Sequence, residues 1–274
     1  MANNKQSVIL KNFCLISLVA SVIFALLNTF CIMSYYDESV FLYQADAVLP
    51  KVLSAVLAVY ALLALIVALA AKNNSLPAEA PSEGTAEKVL SAIIGVMLVL
   101  FSVVAIKDVL KIKEFKVVLT RSEIFMIIAG VFGILTAVYF LLRVFGNGNR
   151  KLRCVFGFFG IGFCVMKLLS LYFARTTHIN NPIVVMEEFS LIAFMVYLLV
   201  EIRYEINIGK ANFFLGFGSL SCMFLLVWSM ADVVYRFSNT TLFEQDGILA
   251  IAELFLAVLV GIRMIKFILS NKDA

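Results

Sequence analysis

Charged residues are scarce in this chain, at 15% of its 274 residues, whereas hydrophobic residues make up 63%. An ordinary soluble domain carries about a quarter charged and about half apolar residues. The apolar residues come in long uninterrupted runs, which excludes a large aqueous core and is typical of membrane spans. Positive charge is too dispersed for a nucleic-acid-binding arm. We therefore expect a lipid bilayer, and no nucleic acid, as partner.

Several chemical motifs are also missing. The five cysteines form no CxxC pair, and they lie in or beside apolar runs, so we interpret them as small core residues. The single histidine, His178, cannot build a metal site by itself. HExxH, GxSxG and GxxxxGK[ST] are absent. Asp232 and Glu253 are capable of sharing acid and base roles, but nothing orients a nucleophile. We predict no metal, no cofactor and no catalytic residue.

Proline is rare as well, and its four copies fall between the apolar runs or at their starts, so no helix interior is broken. A span needs about 20 apolar residues, and the sequence contains eight such runs. They predict an all-α polytopic transmembrane helical bundle, with four helical hairpins as possible repeats. The predicted spans are residues 10–33, 48–71, 89–110, 122–145, 152–174, 182–203, 211–237 and 247–269.

The chain organisation follows from these spans. Residues 1–72 form a first transmembrane hairpin, residues 73–87 have the composition of a flexible linker, and residues 88–274 form a six-span bundle. Lysine and arginine flanking a span stay on the cytoplasmic side. Most of the basic residues are cytoplasmic when the N-terminus is inside, which predicts a protein of the cytoplasmic membrane with both termini in the cytoplasm. Residues 107–116 are basic yet fall outside, and we interpret them as a segment lying along the interface.

A weak internal repeat is visible at a spacing of 65 residues. Glu123, Glu188 and Glu253 share this spacing, each early in an even-numbered span, and Gly95 and Gly160 share it in odd-numbered spans. The spacing is compatible with repeated helical hairpins and also with coincidence in a sequence of few residue types.

Four charged residues inside the predicted spans are the candidate ligand-binding residues. They are Lys167, Glu187, Asp232 and Glu253. Each lies on the order of 7 to 11 Å below the same membrane boundary, at 1.5 Å per residue. Helical periodicity puts Lys167, Asp232 and Glu253 on faces with small residues, which are the faces that meet other helices. A charge at the centre of a span costs roughly 2.5 to 3.5 kcal/mol, so these residues should face the protein interior.

Two interpretations of these charges are open. In the first, spans five to eight enclose an outward-facing cavity, where three carboxylates against Lys167 favour a small cation, an amine-bearing solute or a proton. In the second, Lys167 pairs with Asp232 or Glu187 as an internal salt bridge, while the other charges reach the headgroup layer. At the level of the whole protein, the alternative to solute binding or transport is a non-catalytic sensor or assembly subunit that packs against a membrane protein partner.

A further charged pair is predicted at the opposite ends of the spans. Glu201, near the inner end of span six, and Arg263, near that of span eight, are a possible cytoplasmic ion pair. The stretch Glu201-Ile202-Arg203-Tyr204-Glu205, followed by Gly209-Lys210 and a new apolar span, resembles uncharacterised multi-pass membrane proteins of anaerobic Gram-positive bacteria. That resemblance implies a bacterial membrane protein and brings no activity with it. Ser229-Met230-Ala231-Asp232 resembles the seventh span of the lysoplasmalogenase family, whose other acidic and histidine motifs are absent.

Overall fold

The computed structural model describes residues 2–37, 42–44, 46–70, 83–115, 118–145, 150–174, 181–206 and 208–269. These residues form eight helices and one short antiparallel pair of strands, β1 (Tyr36–Asp37) and β2 (Leu42–Tyr43). The helices are α1 (Ala2–Tyr35), α2 (Val48–Ala70), α3 (Thr85–Phe115), α4 (Arg121–Val144), α5 (Arg150–Phe173), α6 (Pro182–Glu205), α7 (Ala211–Ser238) and α8 (Gln245–Leu269). All eight helices are long and apolar enough to cross a membrane, which confirms the predicted all-α polytopic bundle.

Helices α3 to α8 form a closed ring, in which each helix packs against the next and α8 packs against α3. Helix α1 lies outside this ring along α7, and α2 packs against both α7 and α1. Consecutive helices run in opposite directions, so the bundle has two ends. We call the end that carries β1 and β2 the hairpin side, and the end that carries the start of α1 and the end of α8 the termini side.

The first two helices are joined to the ring by close packing and polar contacts along α7. Asn28 of α1 donates a hydrogen bond to the carbonyl oxygen of Val227 at 3.0 Å, and Asn212 of α7 donates to that of Ala68 on α2 at 2.6 Å. A Cβ atom at Gly216 would lie 2.8 Å from the Cα of Ala68, so α2 and α7 approach too closely for any larger residue there. Helices α1 and α2 therefore pack directly on the ring through α7, where buried residues of the three helices form a core cluster of their own. The division into a first hairpin of residues 1–72 and a six-span bundle stays a prediction.

The last residues of the predicted linker belong to helix α3. Linker residues 73–82 lie outside the described part of the chain, but α3 begins at Thr85, and Glu87 in its first turn is buried. The other end of α3 also differs from the expectation of a separate interfacial segment, because the helix continues to Phe115. Its 31 residues span about 46 Å, which exceeds the roughly 30 Å of hydrocarbon in a bilayer.

The three glutamates of the predicted repeat have different environments. Glu123 completes a capping box with Thr120 at the start of α4, where the Thr120 backbone N–H donates to Glu123 Oε2 at 2.6 Å. Glu188 is half-buried on α6, and Glu253 is buried on α8. The common spacing therefore does not correspond to a common role, and the hairpin repeat stays a prediction.

Candidate functional site

A group of six charged side chains from α5 to α8 lies near the hairpin side of the ring. We call it the hairpin-side cluster, and it consists of Lys167, Glu187, Asp232, Arg236, Asp246 and Glu253. Lys167 lies in the second half of α5, Glu187 early in α6, Asp232 and Arg236 late in α7, and Asp246 and Glu253 early in α8. Because the helices alternate in direction, these positions lie at the same end of the bundle.

Lys167 is the centre of one half of the cluster. Its Nζ lies 3.1 Å from Oε1 of Glu187 and 2.9 Å from Oδ1 of Asp246. The ammonium also lies 5.9 Å from the ring centroid of Phe101, within the range of a cation–π contact. Lys167 is 1% exposed, so its charge is balanced by protein groups instead of water. The internal salt bridge between Lys167 and Glu187 is therefore present.

Asp232, the other partner considered for Lys167, contacts a different cation. Its two carboxylate oxygens share the single N–H of Arg236 Nε, one turn later on α7, at 2.9 and 3.0 Å, and Lys167 contacts Glu187 and Asp246 instead. Arg236 Nη2 also lies 3.7 Å from Asp246 Oδ2, which links the two halves of the cluster. The side chain of Asp246 is 39% exposed, so Asp246 lies at the boundary between the cluster and the medium on the hairpin side.

Glu253 is the deepest carboxylate of the cluster and has no cation of its own. It lies seven residues beyond Asp246 on α8, about 10 Å further along the helix axis, and is 1% exposed. Its Oε2 lies 2.9 Å from the hydroxyl oxygen of Ser190 on α6. Among the residues that the structure describes, Oε1 has no hydrogen-bond partner, and no lysine or arginine forms an ion pair with this carboxylate.

The cluster carries more acid than base. Four carboxylates face two cations, and each cation already contacts two carboxylates. The two cations balance two of these carboxylates, which leaves an excess of two acidic groups in a region where uncompensated charge is costly. The arrangement can therefore accept positive charge.

Sequence reasoning found four of the six members and missed Asp246 and Arg236. Both lie in terminal turns of helices, where charges are usually solvated. Helical spacing offered a signal for each, since Arg236 lies four residues after Asp232 and Asp246 lies seven residues before Glu253. Side chains that are four or seven residues apart lie on the same face of a helix.

A second charged group fills the termini side of the ring. We call it the termini-side network, and its members lie on α4, α5, α6 and α8 and at the start of α3. They are Glu83, Glu87, Arg143, Arg153, Glu201, Glu205, Arg263 and Lys266.

The pair Glu201 and Arg263 lies at the centre of the termini-side network. Nε and Nη2 of Arg263 lie 2.7 and 3.0 Å from the two carboxylate oxygens of Glu201, which is a bidentate geometry. Tyr197 donates a further hydrogen bond to Oε1 of Glu201 at 2.7 Å, and Arg143 lies 3.7 Å from Oε2. Four cations face four carboxylates in this network, so its charges balance, in contrast to the hairpin-side cluster.

An apolar layer separates the two charged groups. Its aromatic members, which we call the aromatic layer, come one each from α3, α4, α5 and α6, and they are Phe101, Phe140, Phe163 and Phe194. Neighbouring rings have centroids 5.6 to 6.4 Å apart. On α8, Glu253 of the hairpin-side cluster and Arg263 of the termini-side network are separated by about 15 Å along the helix axis. The ion pairs of the described residues therefore lie within one group or the other and do not join the two.

Within the described part of the chain, no three histidine, cysteine, aspartate or glutamate side chains are arranged to hold a metal ion. His178, the single histidine, lies outside the described residues. Comparison of this chain with protein-family models, with curated proteins and with solved structures finds no match. Functional conclusions therefore follow from the geometry of the two charged groups.

Proposed function

We propose that this membrane protein binds a small cation or amine-bearing solute at the hairpin-side cluster, as a solute-binding or transport protein. The observation that carries the proposal is the position of Glu253, a carboxylate that is 1% exposed inside a membrane helix and has no cationic partner among the residues the structure describes. Ionisable residues in spans usually face the protein interior and mark ion or substrate pathways. A bound cation would supply the positive charge that the cluster lacks.

The balanced termini-side network has a different role in this proposal. Its four cations balance its four carboxylates, and together they tie the start of α3 to α4, α5, α6 and α8. With the aromatic layer, it closes the bundle on the termini side. A cation reaches Glu253 from the hairpin side past the partly exposed Asp246, and passage through the bundle requires the aromatic layer and this network to open.

The binding experiment is a thermal unfolding assay on the purified protein in detergent. Trp228, the single tryptophan, is buried on α7 and reports unfolding by its fluorescence. The test cations are sodium, potassium and methylammonium, each replacing N-methyl-D-glucamine at constant chloride. A cation present at about 100 times its Kd stabilises the folded state by about 2.7 kcal/mol. We expect at least one of the three to raise the unfolding temperature of the wild type in a saturable way.

The decisive variant is Glu253→Gln, which keeps the size of the side chain and its hydrogen bond with Ser190 but cannot become an anion. It is expected to unfold at the wild-type temperature without a test cation and to lose the stabilisation by cations. Glu188→Gln is the matched control, because Glu188 lies on α6 outside the cluster and is half-buried. Equal cation responses of wild type and Glu253→Gln, or no response of the wild type to any of the three, would overturn the proposal.

We also propose that the hairpin side is external and both termini are cytoplasmic, because most basic residues then lie inside. The five native cysteines are free and buried, so an added exposed cysteine can be labelled selectively. In intact cells, a membrane-impermeant maleimide is expected to label Ser238→Cys, at the hairpin-side end of α7. Ile208→Cys, between α6 and α7 on the termini side, should react only after permeabilisation. The reverse pattern would contradict this orientation.

The alternative of a sensor or assembly subunit with a membrane protein partner rested on faces of small residues. Two of these residues, Gly157 and Gly160 of α5, lie against Ile202 and Leu198 of α6 in the same chain. That surface is therefore occupied within the protein, and we favour the solute-binding proposal.

A further inference from the structure

The hydroxyl of Ser190 contacts two oxygen atoms that both accept hydrogen bonds. Its Oγ lies 3.1 Å from the backbone carbonyl oxygen of Glu187 and 2.9 Å from Oε2 of Glu253. A serine hydroxyl has one hydrogen to donate and can also accept. A carbonyl oxygen never donates, so both contacts are full hydrogen bonds only when the Glu253 carboxyl carries a proton and donates it to Ser190. A protonated Glu253 therefore allows both contacts of Ser190 to be full hydrogen bonds.

The surrounding charges favour the same state. The groups that face Glu253 are Cys164 and Lys167 on α5, Glu187 on α6 and Asp232 on α7, with Arg236 and Asp246 beside them. Helix α3 contributes the apolar ring of Phe101 beside Lys167. Both cations of this set are held by other carboxylates. An ionised Glu253 would thus be a buried negative charge near two others, without a cation to compensate it.

We infer that a proton and the cation compete for Glu253, so that the protein exchanges one for the other. This inference rests on the proposed function and adds that the bound cation displaces a proton. In the exchange, the O–H bond of the Glu253 carboxyl breaks, the carboxylate keeps the electron pair and contacts the cation, and the proton passes to water on the hairpin side. The charge of the cluster is the same before and after the exchange, so the buried region never carries additional charge.

Once Glu253 has lost its proton, the oxygen atoms around it can serve as ligands for a cation. Oε1 of Glu253 has no partner among the described residues, and deprotonation also frees Oε2 from its donor role. Ser190 Oγ and the Glu187 carbonyl oxygen lie beside it as neutral oxygen ligands. This set contains one carboxylate group and two neutral oxygens, which suits a singly charged ion or a primary ammonium group.

The experiment counts protons when the cation binds. Purified wild type in weakly buffered detergent solution receives a saturating concentration of the stabilising cation among sodium, potassium and methylammonium, and a pH-indicator dye reports the released protons. We expect about one proton per protein molecule, and a fall of about tenfold in cation affinity for each unit of decreasing pH while Glu253 is protonated. Glu188→Gln should release the same number, since Glu188 lies outside the cluster.

Glu253→Gln should release no proton when the same cation is added, and its retained unfolding temperature shows that the loss is not due to misfolding. Binding of a cation by wild type without proton release, at an affinity that does not change with pH, would overturn the exchange and leave the proposed binding function intact. The absence of any cation binding would instead overturn the proposed function itself.

Discussion

Replacement of Lys167 by methionine is expected to lower the free energy of unfolding by about 3 to 5 kcal/mol, the usual cost of removing one partner of a buried ion pair. Lys167 neutralises Glu187 and Asp246, with contacts of 3.1 and 2.9 Å. Its loss adds uncompensated acid to a cluster that already contains an excess. The measurement is denaturant-induced unfolding in detergent, followed by the fluorescence of Trp228.

Two further variants test whether the lower free energy of unfolding of Lys167→Met comes from the lost ion pairs. Lys107→Met removes an exposed lysine of α3 and should change the stability by less than about 0.5 kcal/mol. Lys167→Met combined with Glu187→Gln should recover most of the loss, because the remaining partner, Asp246, is partly exposed to solvent. A wild-type stability for Lys167→Met alone would show that the ammonium does not neutralise these carboxylates.

Replacement of Arg263 by methionine is expected to cost a similar amount, about 3 to 5 kcal/mol, because Glu201 loses its bidentate partner in a fully buried position. The double variant Arg263→Met with Glu201→Gln removes one charge of each sign, so the termini-side network remains balanced at three cations and three carboxylates. Its stability should return close to that of the wild type. This is measured in the same unfolding assay, and equal losses in the single and double variants would contradict a role based on charge balance.

Substitutions in the two charged groups should have different effects on cation binding. The termini-side double variant changes no residue of the hairpin-side cluster, and the aromatic layer lies between the two groups. We therefore expect Arg263→Met with Glu201→Gln to keep the proposed cation response, which Glu253→Gln should lose.

The helices were predictable because a bilayer imposes a simple requirement. Every backbone polar group in the hydrocarbon must be satisfied within the segment, so apolar runs of about 20 residues become helices. The eight predicted spans agree with the parts of the eight helices that are apolar enough to cross a membrane, with ends that differ by at most four residues. Residues 107–116 were the exception, since their mixed lysine and apolar pattern fits both an interfacial segment and the extension of α3 that the structure has.

The members of the hairpin-side cluster were partly predictable from depth and helical face. Lys167 and Glu187 are in contact, but Lys167 and Asp232 have other partners, Asp246 and Arg236. Depth along a helix is visible in the sequence, whereas the rotation of one helix about another depends on packing of the whole ring. Which of several acidic residues at the same depth contacts a given cation could therefore be decided only from the structure.

The termini-side network was harder to find, for a different physical reason. Arg143 and Arg153 flank spans, and basic residues at such positions commonly contact lipid headgroups or water. Glu83 and Glu87 belong to the segment predicted as a flexible linker, yet they pair with arginines of α4, α5 and α8. Charges at helix ends have the same sequence pattern whether they are solvated or paired across the bundle.

The most direct test of the account is infrared difference spectroscopy of the protein without added cation, wild type against Glu253→Gln. The account predicts a carbonyl stretching band of a protonated carboxylic acid in the wild type that is absent from Glu253→Gln. This band should disappear when the stabilising cation is added at saturation. Identical wild-type and Glu253→Gln spectra in the carboxylic acid region would contradict the account, because Glu253 would then be ionised without added cation and would have no proton to exchange.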